Sequence, residues 1–325
     1  MSPGWSGRRV LVTGPTGLLG GHLVEKLLER GAEVVCLVRD WVPRARTIEE
    51  GFLDRVTQVR GELEDAQGIL RALNEHGIEC VLHAGAQAIV GTAARSPLST
   101  FESNVRGTWN LLEACRLLGS GVTRIVLLSS DKAYGAQEEL PYLETAPLRG
   151  RQPYDASKAA AELVAQSYRE TFGLPVSIAR CANLYGPGDL NWSRLVPGTI
   201  RAALQDERPV LRSDGRHVRD WLFVSDAADG VLGLAERTPE PGIAGEAFNL
   251  GTGRGTPVLE VVSLVLRLTG REHLRPEIQG RAPGEIRAQV LSTGKARDLL
   301  GWEARHGLEE GLRATIPWYR ARLGR

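Results

Sequence analysis

No run of apolar residues in this 325-residue chain is long enough to cross a bilayer. The longest, 258–268, is interrupted by Glu260 and Arg267 and falls short of the roughly 20 residues a spanning helix needs. The opening Met1-Ser2-Pro3-Gly4-Trp5 carries no basic-then-apolar segment of the secretory kind, so the expected location is the cytoplasm. Neither sign of charge is in excess: 40 Lys and Arg stand against 39 Asp and Glu, which leaves no global field to draw the chain to nucleic acid or to an anionic membrane. Basic tracts and interleaved aromatic platforms are lacking too, and neither partner is expected. Cysteine is scarce. Cys36, Cys80, Cys115 and Cys181 lie far apart within apolar stretches, which fits buried reduced thiols better than disulfides and offers no metal-binding set. No internal repeat or low-complexity linker divides the chain. What remains, 42% hydrophobic and 24% charged, is the composition of a globular protein with ample core.

The positive signals start at Val10-Leu11-Val12-Thr13-Gly14-Pro15-Thr16-Gly17-Leu18-Leu19-Gly20. A short β-branched and aliphatic stretch breaks into glycines three apart, after which Leu19, Leu23 and Leu27, with Val24 and Leu28, recur at helical spacing up to Gly31. The pattern predicts strand, tight turn and helix. In such a unit Gly14 takes the backbone angles of the turn, Gly17 lets a phosphate approach bare N–H groups at the positive helix end, and Gly20 lets helix and strand pack closely. A glycine triplet alone is a weak sign. Here it follows an apolar strand, opens a helix and leads to a second strand at 34–38, so a dinucleotide cradle of Gly14, Thr16, Gly17, Leu18, Leu19 and Gly20 is expected.

The second strand ends in Arg39-Asp40, where such a domain reads the adenosine ribose. An acidic side chain accepts from the 2′-hydroxyl and suits NAD, whereas arginine pairs with a 2′-phosphate and suits NADP. Val38 occupies the usual acidic position. Arg39, with Arg44 and Arg46 in the next loop, either meets a 2′-phosphate or is a solvated loop charge; on balance NADP is favoured over NAD. Further strands at 56–59, 80–83 and 125–128 alternate with helices at 66–76 and 98–118. Parallel neighbours need crossovers, so this alternation predicts an α/β fold with a doubly wound parallel sheet. His83-Ala84-Gly85-Ala86 places small residues after the fourth strand, where backbone must lie close to a flat cofactor. His83 itself reads as a packed polar residue rather than a ligand. Asn104 either holds a neighbouring strand end or lies on the surface.

Hydroxyls and charges then gather in Leu127-Leu128-Ser129-Ser130-Asp131-Lys132-Ala133-Tyr134-Gly135, at the carboxyl end of a strand, where open α/β sheets carry their sites. Tyr154-Asp155-Ala156-Ser157-Lys158 follows at the head of an Ala-rich helix reaching 172. Tyr and Lys four apart share one helix face. The Lys158 ammonium is expected to lower the phenol's pKa, so that Tyr154 acts as a base near neutral pH. Beyond residue 180 the pattern loosens to a loop at 183–192, helices at 194–204, 227–236, 258–268 and 308–322, and short strands at 210–211 and 221–223.

Gly14-x-x-Gly17-x-x-Gly20, Ser129-Ser130-Asp131-Lys132, Tyr154-x-x-x-Lys158, Arg180-Cys181-Ala182-Asn183-Leu184-Tyr185-Gly186 and Arg219-Asp220-Trp221 together extend over nearly the whole chain. On these residues it resembles the extended short-chain dehydrogenase/reductase family of nucleotide-sugar epimerases and dehydratases. Within that family, Ser-Asp-Lys before the tyrosine, Gly188-Asp189-Leu190-Asn191-Trp192-Ser193-Arg194-Leu195-Val196-Pro197, and the closing Leu291-Ser292-x-x-Lys295-Ala296 to Leu300-Gly301-Trp302 are most similar to the CDP-glucose 4,6-dehydratases. The Arg39 region is instead similar to NADP-using relatives such as the GDP-mannose 4,6-dehydratases.

The resemblance implies a Rossmann-type dinucleotide-binding domain at 1–180 and a smaller α/β lobe at 181–325, interleaved with it, that holds a nucleotide diphosphate-sugar. It implies a tightly bound NAD or NADP contacted by the cradle and by Arg39, Asp40, Glu62, Leu63, Ala84, Gly85, Ala86, Asn104, Ser129, Tyr154, Lys158, Cys181 and Asn183, with no metal. Gln87, Asn183, Arg194, Leu195, Val196, Arg216 and Arg219 would face the substrate, the arginines as bidentate clamps for its diphosphate. The arginine that many epimerases carry two residues before a late Gly-acid pair is Ala282 here, with Arg281 one place off. The implied reaction is an internally recycled dehydration. Tyr154 takes the 4-OH proton as C4 is oxidised, Ser130 holds the 4-oxygen, Asp131 protonates the departing 6-OH, and Lys158 contacts the nicotinamide ribose. Lys132 stands where most 4,6-dehydratases carry the glutamate that removes the C5 proton. It either serves as that base with a pKa depressed by burial beside Lys158, stabilises the enolate as a charge, or points away and neutralises Asp131. A 4-epimerase, for which Tyr154 and Lys158 suffice, is the first alternative, and a non-catalytic dinucleotide sensor the second. Relatives pair through two long helices, here 98–118 and 155–172. A homodimer is therefore expected, with Leu111, Leu112 and Cys115 on one helix and Ala159 and Leu163 on the other supplying apolar surface.

Overall fold

A computed structural model describes residues 4–281 and 284–324. Its strands run in chain order β1 (Arg9–Thr13), β2 (Glu33–Val38), β3 (Thr57–Arg60), β4 (Cys80–His83), β5 (Arg124–Ser130) and β6 (Val176–Cys181), then β7 (Asn183–Tyr185), β8 (Val210–Leu211) and β9 (Val218–Phe223). Four more, β10 (Ala247–Leu250), β11 (Gly255–Pro257), β12 (Glu277–Ile278) and β13 (Ala288–Gln289), complete the set. The large sheet has the order β3-β2-β1-β4-β5-β6-β10, every pair parallel. Successive strands run outward in opposite directions from β1 and β4, and that reversal opens a crevice beyond their carboxyl ends.

Alternation along each strand fills both faces. Val10, Val12 and Cys36 join one buried apolar cluster, and Leu11, Val35 and Leu37 the other, as a sheet covered by helices on both sides requires. All four cysteines are buried free thiols. Burial pushes those of Cys36, Cys80 and Cys181 up to about 12, so they stay protonated and inert. The smaller lobe has its own core, in which Tyr185, Ile200 and Phe223 pack against Leu312 and Tyr319 of the helix Leu308–Leu323. β9 is its centre, pairing with β7, β11 and β13.

Several expectations need correction. The stretch 98–118 is not one regular helix: Pro97–Phe101 passes through a wider π turn at Glu102–Arg106 into Gly107–Leu117. That turn carries Ser103 and Asn104 into the interior, a local departure of the kind that marks functional sites. The segment 183–192 is not all loop, since Asn183–Tyr185 is a strand on β9. β10 comes from the second half of the chain yet closes the edge of the first sheet beside β6, so the two halves share one framework. Among the described residues no helix is long and apolar enough to cross a membrane, and no cluster of three or more His, Cys, Asp or Glu could hold a metal.

Candidate active site

A cavity of about 990 Å³ opens at the crevice and runs on between the two lobes. That is the upper end of the ~300–1,000 Å³ typical of small-molecule sites. Gly14 turns with φ 68°, and a Cβ there would come within 2.8 Å of Gly85 Cα, so the turn and the 84–86 segment approach as only glycine allows. A Cβ on Gly20 would overlap the Gly14 carbonyl oxygen. The helix Leu18–Glu29 begins at Gly17 with neither a side-chain cap nor an acidic residue in its first turn, leaving its N–H groups to an anion. Thr16, Gly17, Leu18 and Leu19 line the cavity with Arg39, Asp40, Leu63, Ala84, Gly85 and Ala86. This cradle fits a pyrophosphate with an adenosine at one end and a flat ring at the other.

Thr13 Oγ1, 2.8 Å from His83 Nδ1, also accepts from the Gly85 N–H at 2.8 Å, and His83 Nε2 lies 3.1 Å from Thr108 Oγ1. Burial and the Lys158 charge push His83 down to about 3. It is a neutral packed strut that fixes the cradle's floor.

The reactive groups come from β5, the short turn after it and one helix. That helix, Pro153–Phe172, starts with Pro at its first position, where no backbone N–H is needed, and stops at Gly173 in the left-handed conformation. Its first turns bring Tyr154 and Lys158 into the cavity, opposite Ser129, Ser130, Asp131 and Lys132. Ser130 Oγ donates to Asp131 Oδ1 at 3.0 Å and accepts from the Lys132 N–H at 3.3 Å, and it lines the cavity with the Tyr154 phenol. Asn183 Nδ2 donates to Asp131 Oδ2 at 3.3 Å. Ser129 also lines the cavity, but its hydroxyl is engaged with Glu162, which forms a buried 2.7 Å ion pair with Arg180.

Electrostatics correct two expectations. Lys158 Nζ donates to Leu128 O at 2.8 Å, and burial lowers the ammonium to about 8. The leading influences on Tyr154 are others. Burial pushes that phenol up to about 12, opposed by the Arg194 charge and the Ser130 hydrogen bond. Lys132 does not point away: it lines the cavity, and its ammonium is bonded to Gln289 Oε1. Burial first, and then the Arg219 charge, lower its pKa, while Asp131, Asp155 and Glu285 raise it.

On the substrate side Gln87, Asn183, Arg194, Leu195, Val196 and Arg219 line the cavity, as does Cys181 at the end of β6. Arg194 Nη1 is 3.1 Å from Asp189 Oδ2, and the buried Arg219 pairs with Glu285 at 2.8 Å. Arg216 is exposed and lies outside the lining. Arg208 and Arg212, which sequence reasoning passed over, line it instead, and Arg212 donates to Ser193 O at 3.2 Å. Glu62 is exposed and outside the lining, while its neighbour Glu64 lines it with one buried carboxylate oxygen lacking a partner. Asn104 stands behind the wall: it accepts from Gln87 N at 2.7 Å and donates to Ser157 Oγ at 2.9 Å, tying the 87 loop to the Tyr154 helix. Arg46 is engaged with Glu25 and Glu50 and, like Arg44, is not in the lining. Ala282 lies outside the described residues.

Residues 10–251 match the model of the NAD dependent epimerase/dehydratase family. A dTDP-glucose 4,6-dehydratase of Xanthomonas campestris pv. campestris (strain B100) is 32% identical over 95% of this chain and 92% of that protein. The CDP-glucose 4,6-dehydratase of Salmonella typhimurium (strain LT2) is 30% identical over 98% and 92%. Among solved structures, the UDP-glucose 4-epimerase of Thermotoga maritima with UDP-glucose superposes with a TM-score of 0.88 at 31% identity, covering 97% of this chain and 99% of that one.

Proposed function

The chain belongs to the NAD dependent epimerase/dehydratase family, and from its site we propose that it is a nucleotide-sugar 4,6-dehydratase acting on a nucleoside diphosphohexose of the CDP-glucose kind. The observation that carries this reading is the placement of Asp131 and Lys132 in the cavity wall beside Ser130 and Tyr154. Oxidation and re-reduction at C4, all that an epimerase needs, involve no second acid and no second base. Expelling the 6-hydroxyl involves both.

Tyr154 accepts the 4-OH proton and Ser130 holds the oxygen that becomes the 4-keto group. A nicotinamide dinucleotide held by the Gly14–Gly20 cradle and Lys158 would supply the redox chemistry that links C4 to C6. Lys132 removes the C5 proton or holds the resulting enolate, and Asp131 gives a proton to the departing 6-OH, so that one water leaves and no external reductant is consumed. Arg194 and Arg219 face the diphosphate, with residues 1–180 binding the dinucleotide and 181–325 the nucleotide sugar. The epimerase alternative keeps its support from relatives of that activity. The sensor alternative is disfavoured because both Tyr154 and Lys158 are present in the wall. Incubation with a panel of nucleotide sugars tests the proposal.

The family is described by NAD, but the ribose end of this cavity offers Arg39, with Asp40 2.7 Å from it, and the buried Val38 in the usual acidic slot. A 2′-phosphate would replace Asp40 as the partner of Arg39. NADP is therefore the expected cofactor, and dinucleotide extracted from the purified protein should contain it; NAD alone would refute this preference.

The homodimer rests on a corrected set of residues. Leu111, Leu112, Cys115 and Ala159 are buried within their own chain, whereas Leu98, Phe101, Trp109, Leu163 and Phe172 stand exposed along Pro97–Phe101, Gly107–Leu117 and Pro153–Phe172. A dimer through these helices would cover that apolar surface. Light scattering at micromolar concentration should give twice the chain mass, and a monomer would contradict it.

A further inference from the structure

We infer that Gln289 is a positioning residue for Lys132, holding its amine at the cavity wall from the opposite lobe; this rests on the dehydratase reading. Gln289 is fully buried in β13. Its strand is fixed on both edges. In register with Gln289 lies Arg219 of β9, and on the other side Tyr142 N donates to Val290 O at 2.8 Å while Ser292 N donates to Tyr142 O at 2.9 Å. The Tyr142 hydroxyl adds a 3.1 Å bond to Ala288 O.

From this support the amide reaches the turn after β5 with both of its ends. Nε2 donates to Asp131 O at 3.2 Å, and a carbonyl can only accept, so Oε1 must face the Lys132 amine, which donates to it. The charged groups facing that amine are Asp131, Asp155 and Glu285 on the raising side and Arg219 on the lowering side. An amide carbonyl fixes the amine in either protonation state without adding a fourth carboxylate. A glutamate at 289 would keep an acceptor for the Lys132 amine, lose the donor to Asp131 O, and favour the ammonium; a methionine would fill the space and hold nothing.

The chain has four lysines, Lys26, Lys132, Lys158 and Lys295, so Lys132 can be followed individually by ¹³C-lysine NMR in the dinucleotide-bound protein, assigned with Lys132→Arg. Relative to the parent, the Lys132 titration is expected to move up in Gln289→Glu and down in Gln289→Met, with Lys158 unmoved. In the unaltered protein the Gln289 side-chain amide resonance should follow the Lys132 titration, a readout that needs neither variant to fold. The pH limb of water elimination should move in the same direction as the titration in each variant. A Lys132 that titrates identically in all three proteins, or a Gln289 amide indifferent to it, overturns the inference. Shifted titrations with no product lighter by one water would instead uphold Gln289 and overturn the dehydratase reading.

Discussion

Lys132→Ala is expected to cut water elimination about 10²–10⁴-fold, the usual contribution of a positioned acid or base, while C4 oxidation continues near the parental rate. In the proposed reaction the parent would recycle its cofactor within one turnover, so reduced dinucleotide should not build up. The variant should stall after oxidation, accumulate ultraviolet absorbance from reduced cofactor, and lose exchange of the C5 hydrogen with deuterated solvent. Burial and the Arg219 charge lower the lysine's pKa, the direction a base needs, since at its reference value of about 10.4 lysine is almost wholly charged at neutral pH. Lys132→Arg separates the two roles. Arginine keeps the charge and cannot surrender it, so recovery of elimination in that variant assigns enolate stabilisation, and continued loss assigns proton abstraction. Elimination at the parental rate in Lys132→Ala would leave the residue with no catalytic role.

Tyr154→Phe is expected to abolish both halves, by about 10²–10⁴-fold in C4 oxidation and therefore in everything after it. Desolvation at the cavity wall pushes the phenol up to about 12. Removing its hydroxyl takes away the phenol oxygen that receives the 4-OH proton, and the neighbouring Ser130 oxygen is already engaged with Asp131 and Lys132 N. No reduced cofactor and no C5 exchange should appear with any nucleotide sugar, although the sugar still binds. Reduced cofactor formed at the parental rate would move the base to another residue.

The features legible in the sequence were those set by local sterics or by spacing within one element. The close approaches at Gly14 and Gly20 are backbone demands that glycine alone meets, and Tyr154 and Lys158 share a face because four residues make about one helical turn. Where a residue's task depends on a distant segment, the reading failed. Arg216 and Arg212 are four apart around the Gly215 turn, and only the folded lobe brings the second, not the first, to the cavity wall. Asn104 looked like a helix-surface or strand-end residue until the π turn carried it inward to Gln87 and Ser157. Gln289 bonds Lys132 from 157 positions away, and nothing in its neighbourhood marks it. Likewise, spacing gives the direction of Lys158, but the desolvation that raises the Tyr154 phenol and the bond from Lys158 to Leu128 O depend on the tertiary structure.

The central claim, that this site expels water rather than inverting C4, is tested most directly by the mass of the product. Protein with its bound dinucleotide is incubated with CDP-glucose and with the corresponding UDP, dTDP and GDP sugars, and each nucleotide sugar is weighed before and after. The account predicts that at least one is converted to a product lighter by one water, with solvent deuterium incorporated when the reaction is run in heavy water. A product of unchanged mass with its C4 configuration altered would contradict it and make the chain an epimerase.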